Sequence, residues 1–185
     1  MRILYSIILV VSTLAGAAQE RVLFRVQRSV VSFISDAPME VIKAQNEATA
    51  GVLDRNARGF AIRVPTAAFI GFNGPLQMEH FNETYLDSNT WPNTVFQGRI
   101  IEAVDLAVPG TYKVRAKGTL TVKGQPRERI IPCDVIVTAE GIRVTSAFDV
   151  VLDEHGIHIP GIVQQKIAAV VQVKVDLLFK PAPSN

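Results

Sequence analysis

Residues 112–122 read YKVRAKGTLTV, in which Tyr112, Val114, Ala116, Gly118, Leu120 and Val122 alternate without a break with Lys113, Arg115, Lys117, Thr119 and Thr121. A period of two puts an apolar row on one face and a hydrated row on the other. That is the signature of a long antiparallel strand with one wet side, since a buried parallel strand would be apolar on both. Downstream, Lys123, Gly124, Gln125 and Pro126 predict a turn, followed by a long strand over 127–137 in which Pro132 marks an edge, bulge or local break. Gly141 then separates this strand from the row Ile142, Val144, Ser146, Phe148, Val150 and Leu152, and residues 153–160 leave it as a loop. A last apolar row, Ile167, Ala169, Val171, Val173, Val175, Leu177 and Phe179, closes the pattern.

Upstream the signal is more broken. Residues 93–101 read as extended, and 76–86 change to a helical period behind Pro75, a residue suited to the first turn of a helix, with Phe81 and Tyr85 four apart. Residues 51–54 and 59–64 form a hairpin candidate through Asp54, Arg55 and Asn56. Residues 41–50 fit an extended edge or a short helical turn. Residues 22–27 and 30–35 read as two short strands parted near Arg28 and Ser29, before Asp36, Ala37 and Pro38 interrupt the ladder. The expected class is therefore all-β, with about eight sequential antiparallel strands and a short helix near residues 76–86. Periodicity alone allows an extended closed barrel or a two-sheet sandwich.

Arg2, the apolar run 3–14 and the small residues Ala15, Gly16, Ala17 and Ala18 follow the order of a secretory signal, with cleavage after Ala17 or Ala18. The run is short for a membrane span. The expected organisation is a signal peptide at 1–18, one β-barrel domain at 19–180 and a flexible tail at 181–185, with the mature protein in the periplasm or secreted. Removal of the leader takes Arg2 with it and brings the net charge from +2 to +1, which offers no general attraction to nucleic acid. Cys133 is the one cysteine, so no intramolecular disulfide staples the domain.

Sites for chemistry are sparse. In Met78–Glu83, MEHFNE, His80 and Glu83 share a helix face without forming the paired-histidine pattern of a zinc protease. His155 and His158 sit beside Asp153 and Glu154 in what reads as a solvated charged turn, able to join His80 at a metal only if the fold brings them together. Asp134 and Asp149 mark the wet sides of strands, or alternatively an acid–base pair facing a lumen. No nucleophile elbow or phosphate loop is present.

The central segment resembles the YceI family of exported, lipocalin-like proteins. The shared pattern runs through His80 and Phe81, then Trp91 and Pro92, Phe96 and Gly98, and the GxLTxKG element made by Gly118, Leu120, Thr121, Val122, Lys123 and Gly124. The resemblance covers most of residues 22–179 and implies an extended antiparallel barrel that receives a polyisoprenoid chain or an isoprenoid quinone. From the strand rows, the expected wall of such a cavity is Phe60, Ile62, Phe96, Ile100, Tyr112, Val114, Leu120, Phe148, Val150, Val171 and Val173, with His80, Tyr85 and Trp91 at its entrance. The expected partner is an apolar isoprenoid lipid, with no cofactor, no metal and no nucleic acid; transient membrane contact and a homodimer stay open. Two other classes compete: a small hydrolase or lyase using His80 and nearby carboxylates, and a structural or protein-binding β-domain with a filled interior.

Overall fold

The computed structural model describes residues 22–183; the expected signal peptide lies outside the described residues. Nine strands succeed one another: β1 (Leu23–Ala37), β2 (Glu40–Asn46), β3 (Ala50–Asp54), β4 (Gly59–Pro65), β5 (Asn93–Ile100), β6 (Gly110–Val122), β7 (Gln125–Val137), β8 (Ile142–Val151) and β9 (Val170–Pro181). Between β4 and β5 lies the short helix α1 (Pro75–His80), which widens into a π turn over Phe81–Tyr85. Neighbouring strands pair in the order β2-β1-β3-β4-β5-β6-β7-β8-β9, and β1 also pairs with β9. That last pairing decides between the two β architectures, because it leaves a closed eight-stranded antiparallel barrel with β2 as the extra strand.

β1 is the strand that closes the ring. One edge runs along β9 from Phe24↔Pro181 to Ile34↔Gln172, and the other is shared between β3 at its start and β2 at its end. The two halves expected at 22–27 and 30–35 are one strand, with a bulge between Val26 and Arg28 that re-aims the rest of its length. Ser29 consequently turns inward and is buried, where its hydroxyl donates to the Glu47 carbonyl and accepts from the Thr49 amide. The region 41–50 resolves as extended edge, not helix, and breaks at residues 47–49. Asn46, fully enclosed, holds that break by donating to the Pro65 carbonyl and accepting from the Ala48 amide. β9 continues one residue past the expected boundary, and the Ala182 amide donates to Leu23.

The apolar rows face inward as alternation requires. On β6, Val114, Ala116, Leu120 and Val122 are all buried, while Lys113, Arg115 and Lys117 are exposed. At the end of the barrel where β1 starts and β9 finishes, Phe24, Leu53, Val137, Ile142 and Phe179 pack together, and Leu106 from the β5–β6 loop stoppers them, each no more than 6% exposed. At the other end lie α1, the β1–β2 turn, the Lys123–Gly124 turn and the long 152–169 connection. Both Lys123 and Gly124 have positive φ, as a two-residue hairpin turn of this hand needs, and the Trp91 ring covers Gly124 so closely that a side chain there would collide with it. The GxLTxKG element and Trp91 are thus one packing unit. Gly98 and Gly118 form another: they pair directly across β5 and β6, and a Cβ on either would run into the backbone of the other strand.

Candidate apolar cavity

The interior is hollow. A cavity of about 500 Å³ runs up the barrel from a floor that includes Leu53, Val135 and Phe179 to a mouth beside α1, with almost wholly apolar walls. Its size falls inside the range of about 300–1,000 Å³ typical of small-molecule sites. Ten of the eleven wall positions expected from the strand rows line it, as do His80 and Tyr85.

Two expected residues do not line the cavity. Tyr112 stands at the floor end, where its hydroxyl donates to the Val108 carbonyl and its ring packs on the solid core. Trp91 is 41% exposed and lies over Gly124 outside the lumen; its carbonyl accepts from the Thr66 hydroxyl. In each case the side chain has a nearer partner, so strand parity or proximity to the mouth did not decide its place.

One part of the wall has no counterpart among the expected positions. Phe33, Phe69, Phe72 and Phe81 form a cluster with centroids 5.1–6.1 Å apart, Phe33 and Phe81 nearly parallel, and all four face the cavity. Such ring contacts add roughly 0.5–1.5 kcal/mol per pair beyond area burial. The cluster ties the β4–β5 connection to β1, with Phe81 stacked on Phe33 of that strand. Its sequence signal is the three-residue spacing of Phe69 and Phe72 in the segment between β4 and α1. On the neighbouring strands β4 and β5, Phe60 and Phe96 make a second pair at 5.0 Å.

Four longer polar lining groups, Glu40, Gln77, His80 and Lys166, gather at the mouth. Glu40 at the start of β2 accepts from Gln77 of α1, His80 ends the same helix, and Lys166 comes directly after Gln165, whose carbonyl accepts from the Met39 amide. Leu76 both lines the cavity and is 61% exposed, which marks where it meets solvent. Burial raises the Tyr85 phenol above its ordinary pKa, keeping it neutral.

The groups considered for chemistry are scattered. His155 is fully enclosed rather than solvated: its Nδ1–H donates to the Gln125 carbonyl at 3.0 Å, and Nε2 is buried without a partner. Burial, with Arg129 and Arg127 nearby, lowers its pKa, so the neutral ring is favoured. His158 is exposed, 4.0 Å from Asp153. Among the described residues no group of three or more histidine, cysteine or acidic side chains is placed to hold a metal. Asp134 points outward to Lys113 at 2.8 Å and Asp149 is exposed, so the two do not face the lumen. Cys133 is half-buried, and burial pushes its thiol pKa up, away from the reactive thiolate.

A family model described as the YceI-like domain matches residues 17–179. The chain is similar in fold to a polyisoprenoid-binding domain from Saccharophagus degradans implicated in plant cell wall breakdown, with a TM-score of 0.73 and 13% identity over 88% of this chain and 100% of that one. It is also similar to BcnA of Burkholderia cenocepacia, with a TM-score of 0.65 and 19% identity over 81% and 95% of the two chains. A YCEI protein of Campylobacter jejuni aligns with a TM-score of 0.55 and 10% identity over 71% and 78%. No curated protein sequence matches the chain.

Proposed function

The chain belongs to the YceI-like family, and from that premise we propose that it is an exported carrier or sequestering protein that takes the chain of an isoprenoid lipid or isoprenoid quinone into its barrel without covalent chemistry. The observation that carries the reading is the hollow itself: a cavity of about 500 Å³ with apolar walls, open beside α1, in a barrel whose other end is solid. Each methylene moved from water into such a space gains about 0.8 kcal/mol, so a slender hydrocarbon is held mainly by burial. Glu40, Gln77, His80 and Lys166 stand where the polar end of that guest would emerge. The S. degradans relative's description as polyisoprenoid-binding supports the guest class. The order of residues 1–18 supports export, with cleavage after Ala17 or Ala18 and residence in the periplasm or outside the cell.

Native mass spectrometry of gently purified protein, with extraction of any bound molecule, tests this directly. The expected result is an isoprenoid-sized adduct removable by organic solvent, and saturable rebinding of that lipid by the stripped protein. Failure to bind any of a panel of isoprenols and quinones, together with turnover of a soluble substrate, would favour the enzyme reading.

A further inference from the structure

The wall of the barrel is not uniformly closed. β7 and β8 pair over only four rungs, from Asp134↔Thr145 to Val137↔Ile142. Beyond them, residues 125–133 of β7 make ladder pairs with β6 alone and residues 146–151 of β8 with β9 alone. Pro132 explains where the ladder stops. Its carbonyl faces β8, since it accepts from the Ser146 hydroxyl at 2.6 Å. In a strand the N–H and C=O of one residue point to the same neighbour, so the donor that proline lacks is the one β8 would have used.

Side chains replace the missing rungs. Besides the Ser146–Pro132 bond, Glu154 receives the Arg129 guanidinium at 2.6 Å, and His155 donates to Gln125. Ile157 and Ile159, from the same 152–159 segment, pack beneath. The closure is therefore a strap of side-chain contacts laid across two unpaired strand edges. At its lower end the barrier is thin: Val114, Cys133, Ser146 and Val175 line the cavity and also line a groove on the outer surface, whose remaining walls include Arg115, Asp134 and Thr145.

We propose that the β7–β8 seam is a second, lateral opening of the cavity, through which a chain-like apolar guest enters and leaves between Cys133 and Ser146. The inference rests on the carrier reading. Parting the seam breaks no backbone rung, because none is present there. The apolar chain meets small side chains in the throat, and polar groups in the groove outside remain hydrated throughout.

Cys133 makes a decisive test available. Ser146 is the next position in register after the Asp134↔Thr145 rung, so Ser146→Cys sets a second thiol opposite the native one, and oxidation then rivets the seam. The protein is loaded with retinol as the isoprenoid probe, and its transfer to phosphatidylcholine vesicles is followed by fluorescence. The oxidised variant is expected to release retinol at least about tenfold more slowly than the same protein after reduction, a barrier difference of about 1.4 kcal/mol. Equal rates in the two forms would overturn the proposal and leave the mouth beside α1 as the route. If thiol titration shows both cysteines still free, Ser146→Trp, which fills the throat from the same position, decides alone: slower transfer than the native chain supports the opening, and the native rate overturns it. Absence of saturable retinol binding in every form would instead remove the carrier reading, and the portal with it.

Discussion

The end of the barrel where β1 starts and β9 finishes and the end that carries α1 are made by the same strands under the same alternation, yet one is solid and the other hollow. At the solid end the inward rows supply Phe24, Leu53, Ile142 and Phe179, and a loop brings Leu106 to fill what remains. At the hollow end equally apolar rows continue, but the covering elements are α1 and the 152–169 segment, attached by side chains and a few single backbone contacts. Alternation therefore fixes which residues face inward. Whether opposing residues meet is set by the barrel's girth and by the loops that cap it.

The largest expected effect falls on the girth itself. Gly98→Val would drive a side chain into the Lys117 carbonyl and the Gly118 backbone, so the β5–β6 contact on which both ends depend must open. A loss of more than about 3 kcal/mol is expected, at or beyond the upper end of overpacking costs, read as a collapse of the urea midpoint or failure to fold.

A matched pair of truncations comes next. Ile142→Ala removes a 1%-exposed member of the solid end and should cost about 2–5 kcal/mol, while Ile62→Ala enlarges a void that already exists and should cost nearer 1 kcal/mol. Equal costs in urea titrations would mean that the upper interior is as tightly filled as the lower.

A third measurement fills the void. Val173→Phe is expected to weaken isoprenoid binding about tenfold, or about 1.4 kcal/mol, with thermal stability little changed. Unchanged affinity would place the guest elsewhere.

The smallest effect separates the ends by pH. His155 is held neutral by burial, against the opposing hydrogen bond to the Gln125 carbonyl; of the charges facing it, Arg129 and Arg127 also disfavour the imidazolium, and Glu154 favours it. Its folded pKa lies below the unfolded value of about 6.5, so in that window the unfolded chain binds the extra proton. Its contribution is complete above that value and is lost as pH falls through the folded pKa. Amide exchange at Gly156 and Ile157 should accelerate from pH 7 to 5, relative to the intrinsic rate, before that at Val135 does. His155→Gln should flatten the difference; acceleration at all three together would contradict it.

Legibility in the sequence divides along the line between local and distant causes. The row from Tyr112 to Val122 is legible because each residue's face is set by its immediate neighbours, and Pro132 is legible as a break because a missing donor is a local fact. Ser29 is not, since a polar residue on an inward position is explained only by Glu47 and Thr49, about twenty residues away. His155 misleads for the same reason: Asp153, Glu154 and His158 around it are hydrophilic, while its partner sits on another strand. The hint is its alternation with Ile157 and Ile159, both buried. The four-ring cluster brings Phe33 of β1 to Phe69, Phe72 and Phe81 of the β4–β5 connection, a long-range meeting that no local pattern encodes. Ten of the wall residues come directly from strand parity, whereas the mouth, assembled from a turn, a helix and a connection, does not.

The joining of β1 to β9 has a consequence for how the molecule comes into being. Phe24 pairs with Pro181, so β1, made early, waits for β9, made about 150 residues later. Until then the growing sheet keeps two raw edges and its greasy face has no opposite wall, a state of long-range, slowly rewarded pairing that is exposed to aggregation. The arrival of β9 is itself the event that creates an inside.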